Sequence, residues 1–254
     1  MKAQPFLQTL TFIGVLLIPP TVALGQDTIN FMNEPDLEAM MPPAAARDRE
    51  HPWSIYGGGR FTITNGDEIA DTLTGAGTAD FTYHDTHDNG YGWWFEFSYN
   101  YDENPLEVNW GTFFQVSGDY FSGRTSTDRG IRLASSEMEL YSLLVGIYVQ
   151  SEDRDSDGDF FWDVRGGIGG AYIGDVDASV TTTAGAFVSR GDLIDSTLTG
   201  TFTLAGRIGY AETRWAVFAG VGWQHVWEPN NGNLGANPED INLFPIEIGF
   251  QYKF

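Results

Sequence analysis

The chain has 254 residues, 35 of them acidic and 13 basic, for a formal net charge of −22. So acidic a surface excludes nucleic acid as a partner, because phosphates need cationic groups, and the absence of cysteine excludes a disulfide framework and thiol chemistry. Aromatic residues make up 15% of the chain and glycines number 31, yet beyond residue 25 no run approaches the ~20 apolar residues of a membrane helix.

The chain opens with Lys2, an apolar run over 12–18, Pro19-Pro20, and then Ala23-Leu24-Gly25. A positive start, a short apolar core and small residues before a cut after Gly25 predict a secretory signal peptide over residues 1–25. No cysteine follows the cut, which argues against a lipid-modified N-terminus. Residues 26–52 contain Met40-Met41-Pro42-Pro43 and mixed charges without a sustained period, and read as a periplasmic or disordered leader.

From residue 53 to residue 254 the chain alternates with period two, the mark of strands with one apolar face. Trp53, Ile55, Phe61 and Ile63 share a parity against Tyr56, Arg60 and Thr62. Tyr91, Trp93, Phe95, Phe97, Tyr99 and Tyr101 oppose Trp94, Glu96, Ser98 and Asn100. Trp110, Phe114, Val116 and Tyr120 oppose Gln115, Ser117 and Asp119; Tyr141, Leu143, Val145, Ile147 and Val149 oppose a less polar face of Leu140, Ser142, Leu144, Gly146 and Tyr148. Phe160, Trp162, Val164, Ile168 and Tyr172 oppose Asp163 and Arg165. Phe202, Leu204, Ile208 and Tyr210 oppose Arg207, and Trp215, Val217, Val221 and Trp223 oppose Gly220 and Gln224. The eighth segment closes the chain. Each has the ~9–11 residues with which a tilted strand crosses a bilayer.

The links alternate in length. Those near 102–105 and 212–213 are short, whereas 64–89, 122–136, 175–199 and 228–242 are long. In a membrane barrel, short turns face the periplasm and long loops face outside, so both barrel ends fall in the periplasm and the acid-rich loops form the outer rim. The segment 78–83 also alternates and precedes Asp88-Asn89-Gly90, a hairpin-type turn, so the strand count is eight with ten as the alternative. A soluble β-sandwich or lipocalin-like barrel would put the apolar parity inside. The small, glycine-rich polar face with isolated charges of both signs disfavours that arrangement.

In the last segment Ile246, Ile248, Phe250, Tyr252 and Phe254 share one parity against Glu247, Gly249, Gln251 and Lys253, and the chain ends on the phenylalanine. This stretch resembles the C-terminal assembly signal of Gram-negative outer-membrane β-barrel proteins, and the architecture resembles the small OmpA/OmpX-type barrels. The resemblance implies an all-β, antiparallel up-and-down transmembrane barrel in the outer membrane. It also implies contact with membrane lipid and recognition of Phe250, Tyr252 and Phe254 by the barrel-assembly machinery.

The inward parity holds Arg60, Glu96, Asp163, Arg165, Arg207 and Glu247. Eight strands leave room for little more than side chains, so these charges are expected to pair with one another as a plug; a narrow polar pore is the alternative. Asp153, Asp155, Asp157 and Asp159 around Gly158 have the spacing of the first half of a calcium loop. Val164 stands where the twelfth-position carboxylate would be, and a solvated acidic turn is the competing reading. No other cofactor is indicated. His84 and His87 with Asp85 and Asp88 lack a third metal ligand. His225 is followed two residues on by Trp227, where lipid A deacylase barrels carry a serine, so no nucleophile–base pair is legible. The functional expectation is therefore a structural or surface-interaction role, with an unidentified extracellular ligand of the long loops. A narrow channel and a lipid-modifying enzyme are the alternatives.

Overall fold

The computed structural model describes residues 52–65, 67–73, 75–101, 109–151 and 159–254. The signal peptide, the leader up to His51 and the aspartates at 153, 155 and 157 lie outside the described residues.

Eight long strands form a closed antiparallel barrel: β1 (Trp53–Thr64), β4 (Gly90–Tyr101), β5 (Asn109–Phe121), β8 (Met138–Gln150), β9 (Asp159–Ile173), β12 (Thr197–Ala211), β13 (Trp215–Val226) and β14 (Ile241–Lys253). Each pairs with its neighbours in sequence, and β1 closes the ring on β14 with Arg60 opposite Glu247 and Ile55 opposite Tyr252. The terminal residue takes part: the Phe254 and Trp53 backbones exchange both N–H···O bonds. Closure leaves no strand edge unpaired, which is the condition for placing strands in an apolar solvent.

The burial of the barrel is inside out. Ile248 is 71% exposed, Ile208 68% and Ile147 60%, whereas Glu96, Asp163, Arg165 and Arg207 on the other parity are at most 2% exposed. Aromatic rings gather in two girdles. One, at the short-turn end, includes the Trp53–Tyr99 pair and the stacked Tyr101–Trp110 pair, with centroids 4.5 and 4.3 Å apart. The other, at the loop end, includes Tyr91–Tyr120, Tyr120–Tyr141 and Phe202–Trp223. About eight to ten residues separate the girdles along β4, roughly 20–25 Å once a tilt of ~40° is allowed for.

The long links hold more structure than their composition suggests. They contain β2 (Glu68–Leu73), β3 (Gly77–Thr82), the single helical turn α1 (Tyr83–Thr86), β6 (Thr125–Asp128), β7 (Ile131–Ser135), β10 (Val176–Thr182) and β11 (Phe187–Ile194). Strands β11-β10-β7-β6 form a four-stranded sheet that repeats the order of β12-β9-β8-β5, the barrel strands they extend. The tight β6–β7 turn places Arg129 at φ 45° and Gly130 at φ 83°. The ten-strand alternative is excluded: β3 pairs with β2 in a separate two-stranded sheet, outside the barrel. Its alternation has another cause. Ala79 and Phe81, with Tyr83 beyond them, are at most 1% exposed in an apolar core shared with Ile69, Leu133, Met138, Val180 and Leu234. These elements form a cap over the loop end of the barrel, and its hydrophobic core is shared with the ends of the barrel strands through Met138, Leu140, Ile173, Val226 and Ile241.

Candidate functional site

Inside the barrel the charges divide into two groups. In the first, the Arg60 guanidinium lies 2.8 Å from Asp119 Oδ2 and donates to Gln224 Oε1 at 2.8 Å. Thr62 Oγ1 donates to Asp119 Oδ1, and Gln224 Nε2 donates to Ser142 Oγ at 2.8 Å and Thr201 Oγ1 at 3.3 Å. This chain of bonds joins β1, β5, β13, β8 and β12 across the lumen.

The second group centres on Glu96. Its Oε2 accepts from Arg165 Nη1 at 2.5 Å and from Arg207 Nη1 at 3.3 Å. Arg165 also grips Asp163 with two bonds, Nε to Oδ1 at 2.9 Å and Nη2 to Oδ2 at 2.7 Å, the bidentate geometry that makes arginine–carboxylate pairs strong. Arg207 donates to Glu247 Oε2 from Nε at 3.2 Å and Nη2 at 3.0 Å. To do so it crosses β13 at Gly220, where an added Cβ would sit 2.8 Å from Arg207 Cγ. Aromatic faces complete the cage: the Arg207 guanidinium carbon is 4.3 Å from the Trp94 ring centroid, and that of Arg165 is 5.5 Å from both Tyr56 and Phe113.

All six interior residues named from the sequence are therefore buried and paired, but not all with one another. Arg60 binds Asp119 rather than Glu247, its partner in strand register. Asp119, absent from the charges expected inside, is fully buried, and its shared parity with Gln115 and Ser117 is the sequence signal that marks it as inward. Lys253, on the parity of Glu247, is also fully buried. Arg60, Arg165, Arg207 and Lys253 thus balance Glu96, Asp119, Asp163 and Glu247 among the described residues, so the interior carries no net charge while the chain carries −22. A balanced, hydrogen-bonded set is what buried charge requires.

At the loop end, His225 lies beside a cleft of about 510 Å³ lined also by Asp67, Glu228, Glu239, Asp240 and Asn242. Asn242 Oδ1 accepts from Trp223 Nε1 at 2.9 Å, and its Nδ2 donates to Asp67 Oδ2 at 2.9 Å, which fixes the amide orientation. His225 Nδ1 then faces the Asn242 oxygen at 3.1 Å and Nε2 faces Asp240 Oδ2 at 3.3 Å. Both ring nitrogens therefore meet oxygen acceptors. The ring links β13 to Asn242 of β14 and to Asp240 in the loop that precedes it.

The two loop histidines are separated. His84 is exposed, whereas His87 is fully buried in the cap with Nδ1 3.0 Å from Thr86 Oγ1. Burial pushes the His87 pKa down to about 4, against smaller opposing effects of the Ser136 backbone and Asp88. Burial also raises the Tyr83 phenol well above its usual range, helped by Asp67, Asp240, Glu228 and Glu239. Among the described residues no group of three or more His, Asp or Glu is placed to hold a metal ion. The calcium turn lies outside them except for Asp159, whose backbone begins β9.

No protein-family model matches the sequence, and no curated protein does. Among solved structures, Neisserial surface protein A is 12% identical with a TM-score of 0.42, over 80% of this chain and 97% of that one. The outer membrane protein OprG from Pseudomonas aeruginosa is 15% identical with a TM-score of 0.41, over 81% and 98%. The attachment invasion locus protein Ail of Yersinia pestis is 12% identical with a TM-score of 0.41, over 80% and 97%. The fold assignment rests on the strand pairing described above, not on these likenesses.

Proposed function

We propose that this chain is an integral outer-membrane protein whose barrel is a closed anchor and whose function is surface interaction through the cap. The membrane reading is supported by the inside-out burial, which would expose a continuous apolar wall to water in a soluble protein. The anchor reading rests on one observation: Arg165 and Arg207 are locked between Glu96, Asp163 and Glu247 across the lumen, and the apolar core of the cap lies above them. Water and ions crossing the barrel would have to part a desolvated ion-pair cluster and a hydrophobic core in succession. The short turns face the periplasm, and the C-terminal Phe250, Tyr252 and Phe254 present the assembly signal.

Single-channel recording in a planar bilayer tests the reading, with a heat-shift gel showing that the barrel has formed. The expected outcome is a silent bilayer. Steady cation-selective steps would overturn the anchor and make the protein a narrow channel. Turnover of a membrane lipid that is lost on His225→Ala would instead make it an enzyme; no such activity is expected, because Trp227 rather than a nucleophile stands two residues after His225.

A further inference from the structure

The outward face of the four-stranded cap sheet is unlike the rest of this acidic surface. Cross-strand register places Thr127, Arg132, Thr181 and Phe187 in one row across β6, β7, β10 and β11. The next row is Thr125, Ala134, Ser179 and Arg190. The opposite parity, with Leu133, Ala178 and Val180, is buried in the cap core, so the side chains of these rows point away from it. Arg124 and Arg129 are committed to Asp88 and Asp128 at 3.3 and 3.5 Å, but Arg132 and Arg190, both exposed, make no ion pair among the described residues. Phe187 is 69% exposed beside them.

Two guanidiniums without an ion-pair partner, roughly 12 Å apart from ~4.8 Å per strand and ~3.4 Å per residue, can receive an anionic partner. The rows run across the exposed face of four paired strands, whereas small ligands are held in concave sites; an extended polymer suits such a face. A densely charged polymer such as a nucleic acid needs many cations and would meet a chain of net charge −22. Asp177 and Asp192 face each other at the barrel-proximal edge of the same sheet, and their shared hydrogen bond raises the Asp192 pKa. That edge repels dense charge further. Hydroxyl rows from Thr125, Thr127, Ser179 and Thr181 and a phenyl ring instead match the hydroxyls and C–H faces of sugars. Planar guanidinium forks match carboxylates. We infer that this face binds an extracellular glycan chain of low charge density that carries carboxylates.

The inference rests on the reading that the cap lies outside the cell, which is tested separately. The chain has no cysteine, so Thr183→Cys in the β10–β11 turn gives a unique thiol for a membrane-impermeant maleimide on intact cells. Failure to label would sink the orientation. Protein in nanodiscs, its fold checked by heat shift, is then passed over immobilised hyaluronan at low salt. Binding that weakens with salt is expected, with a loss of about tenfold for each of R132Q, R190Q and F187S. R214Q, at the short-turn end, should bind as wild type. The double lysine variant R132K/R190K keeps the charge but loses the fork, and should recover only part of the affinity. Labelling at residue 183 without hyaluronan binding overturns the glycan inference alone. So does equal binding by wild type and R132Q/R190Q, or equal binding to uncharged dextran.

Discussion

Replacing Arg165 by methionine keeps most of the side-chain volume and removes the guanidinium that binds both Asp163 and Glu96. Asp163 then loses its two bonds at 2.9 and 2.7 Å and Glu96 its bond at 2.5 Å, while both carboxylates stay at most 1% exposed. Breaking a buried pair in this way costs about 3–5 kcal/mol, because the remaining charge stays desolvated. Arg207 retains one contact to Glu96 at 3.3 Å, which places the expected loss near 4 kcal/mol rather than at the sum for two pairs. With a slope of about 2 kcal/mol per molar urea, the unfolding midpoint in lipid vesicles should fall by about 2 M, followed by tryptophan fluorescence. Adding Asp163→Asn and Glu96→Gln to Arg165→Met should recover much of the loss, since a neutral set no longer buries unpaired charge. A loss below about 1 kcal/mol for Arg165→Met would refute the cluster as a stabilising constraint, as that is the worth of an exposed pair.

The cap should be separable from the barrel. Leu133→Ala removes a fully buried side chain from the cap core and should cost about 2–5 kcal/mol of local stability. Amides of β2, β3, β6 and β7 should then exchange faster while the heat-shift of the barrel is unchanged; loss of the heat-shift would show the two to be one cooperative unit. Acid should act on the same cap through His87. Between pH 6.5 and about 4 the unfolded loops take up a proton that the folded cap excludes. Cap stability is therefore full above 6.5, falls as pH drops through that window, and levels off below it, a total of about 3 kcal/mol. Hydrogen exchange corrected for intrinsic rates should show this slope in wild type and not in His87→Gln, and equal slopes would refute the assignment.

The barrel was legible because its signal is local. Period two in Tyr91 to Tyr101 follows from the pleat of one strand, and the alternation of short and long links sets the topology without knowledge of any contact. The cap was hidden by the same signal. In β8 the inward parity changes from Ser142 to Leu140 and Met138, and in β9 it continues into Ala171 and Ile173, all buried in the cap core. In β9 the change from Asp163 and Arg165 to Ala171 and Ile173 marks where the polar lumen ends; β8 carries the mark less clearly, because Leu144 also lies on its inward face. The segment 78–83 was ambiguous because alternation shows that one face is covered, not by what.

Alone, the sequence determined that period-two strands carry one apolar face each and that Arg60, Glu96, Asp163, Arg165, Arg207 and Glu247 lie on the opposite, inward parity. Only the tertiary structure decided which charges meet: Glu96 with Arg165, 69 residues away, and with Arg207, 111 residues away. It also decided that Arg60 takes Asp119 and that Arg207 reaches Glu247 over Gly220. Parity is a property of each strand, but pairing across a lumen depends on the stagger with which eight strands close, on their tilt, and on which neighbours lack side chains. Those are properties of the closed ring, and no single strand contains them.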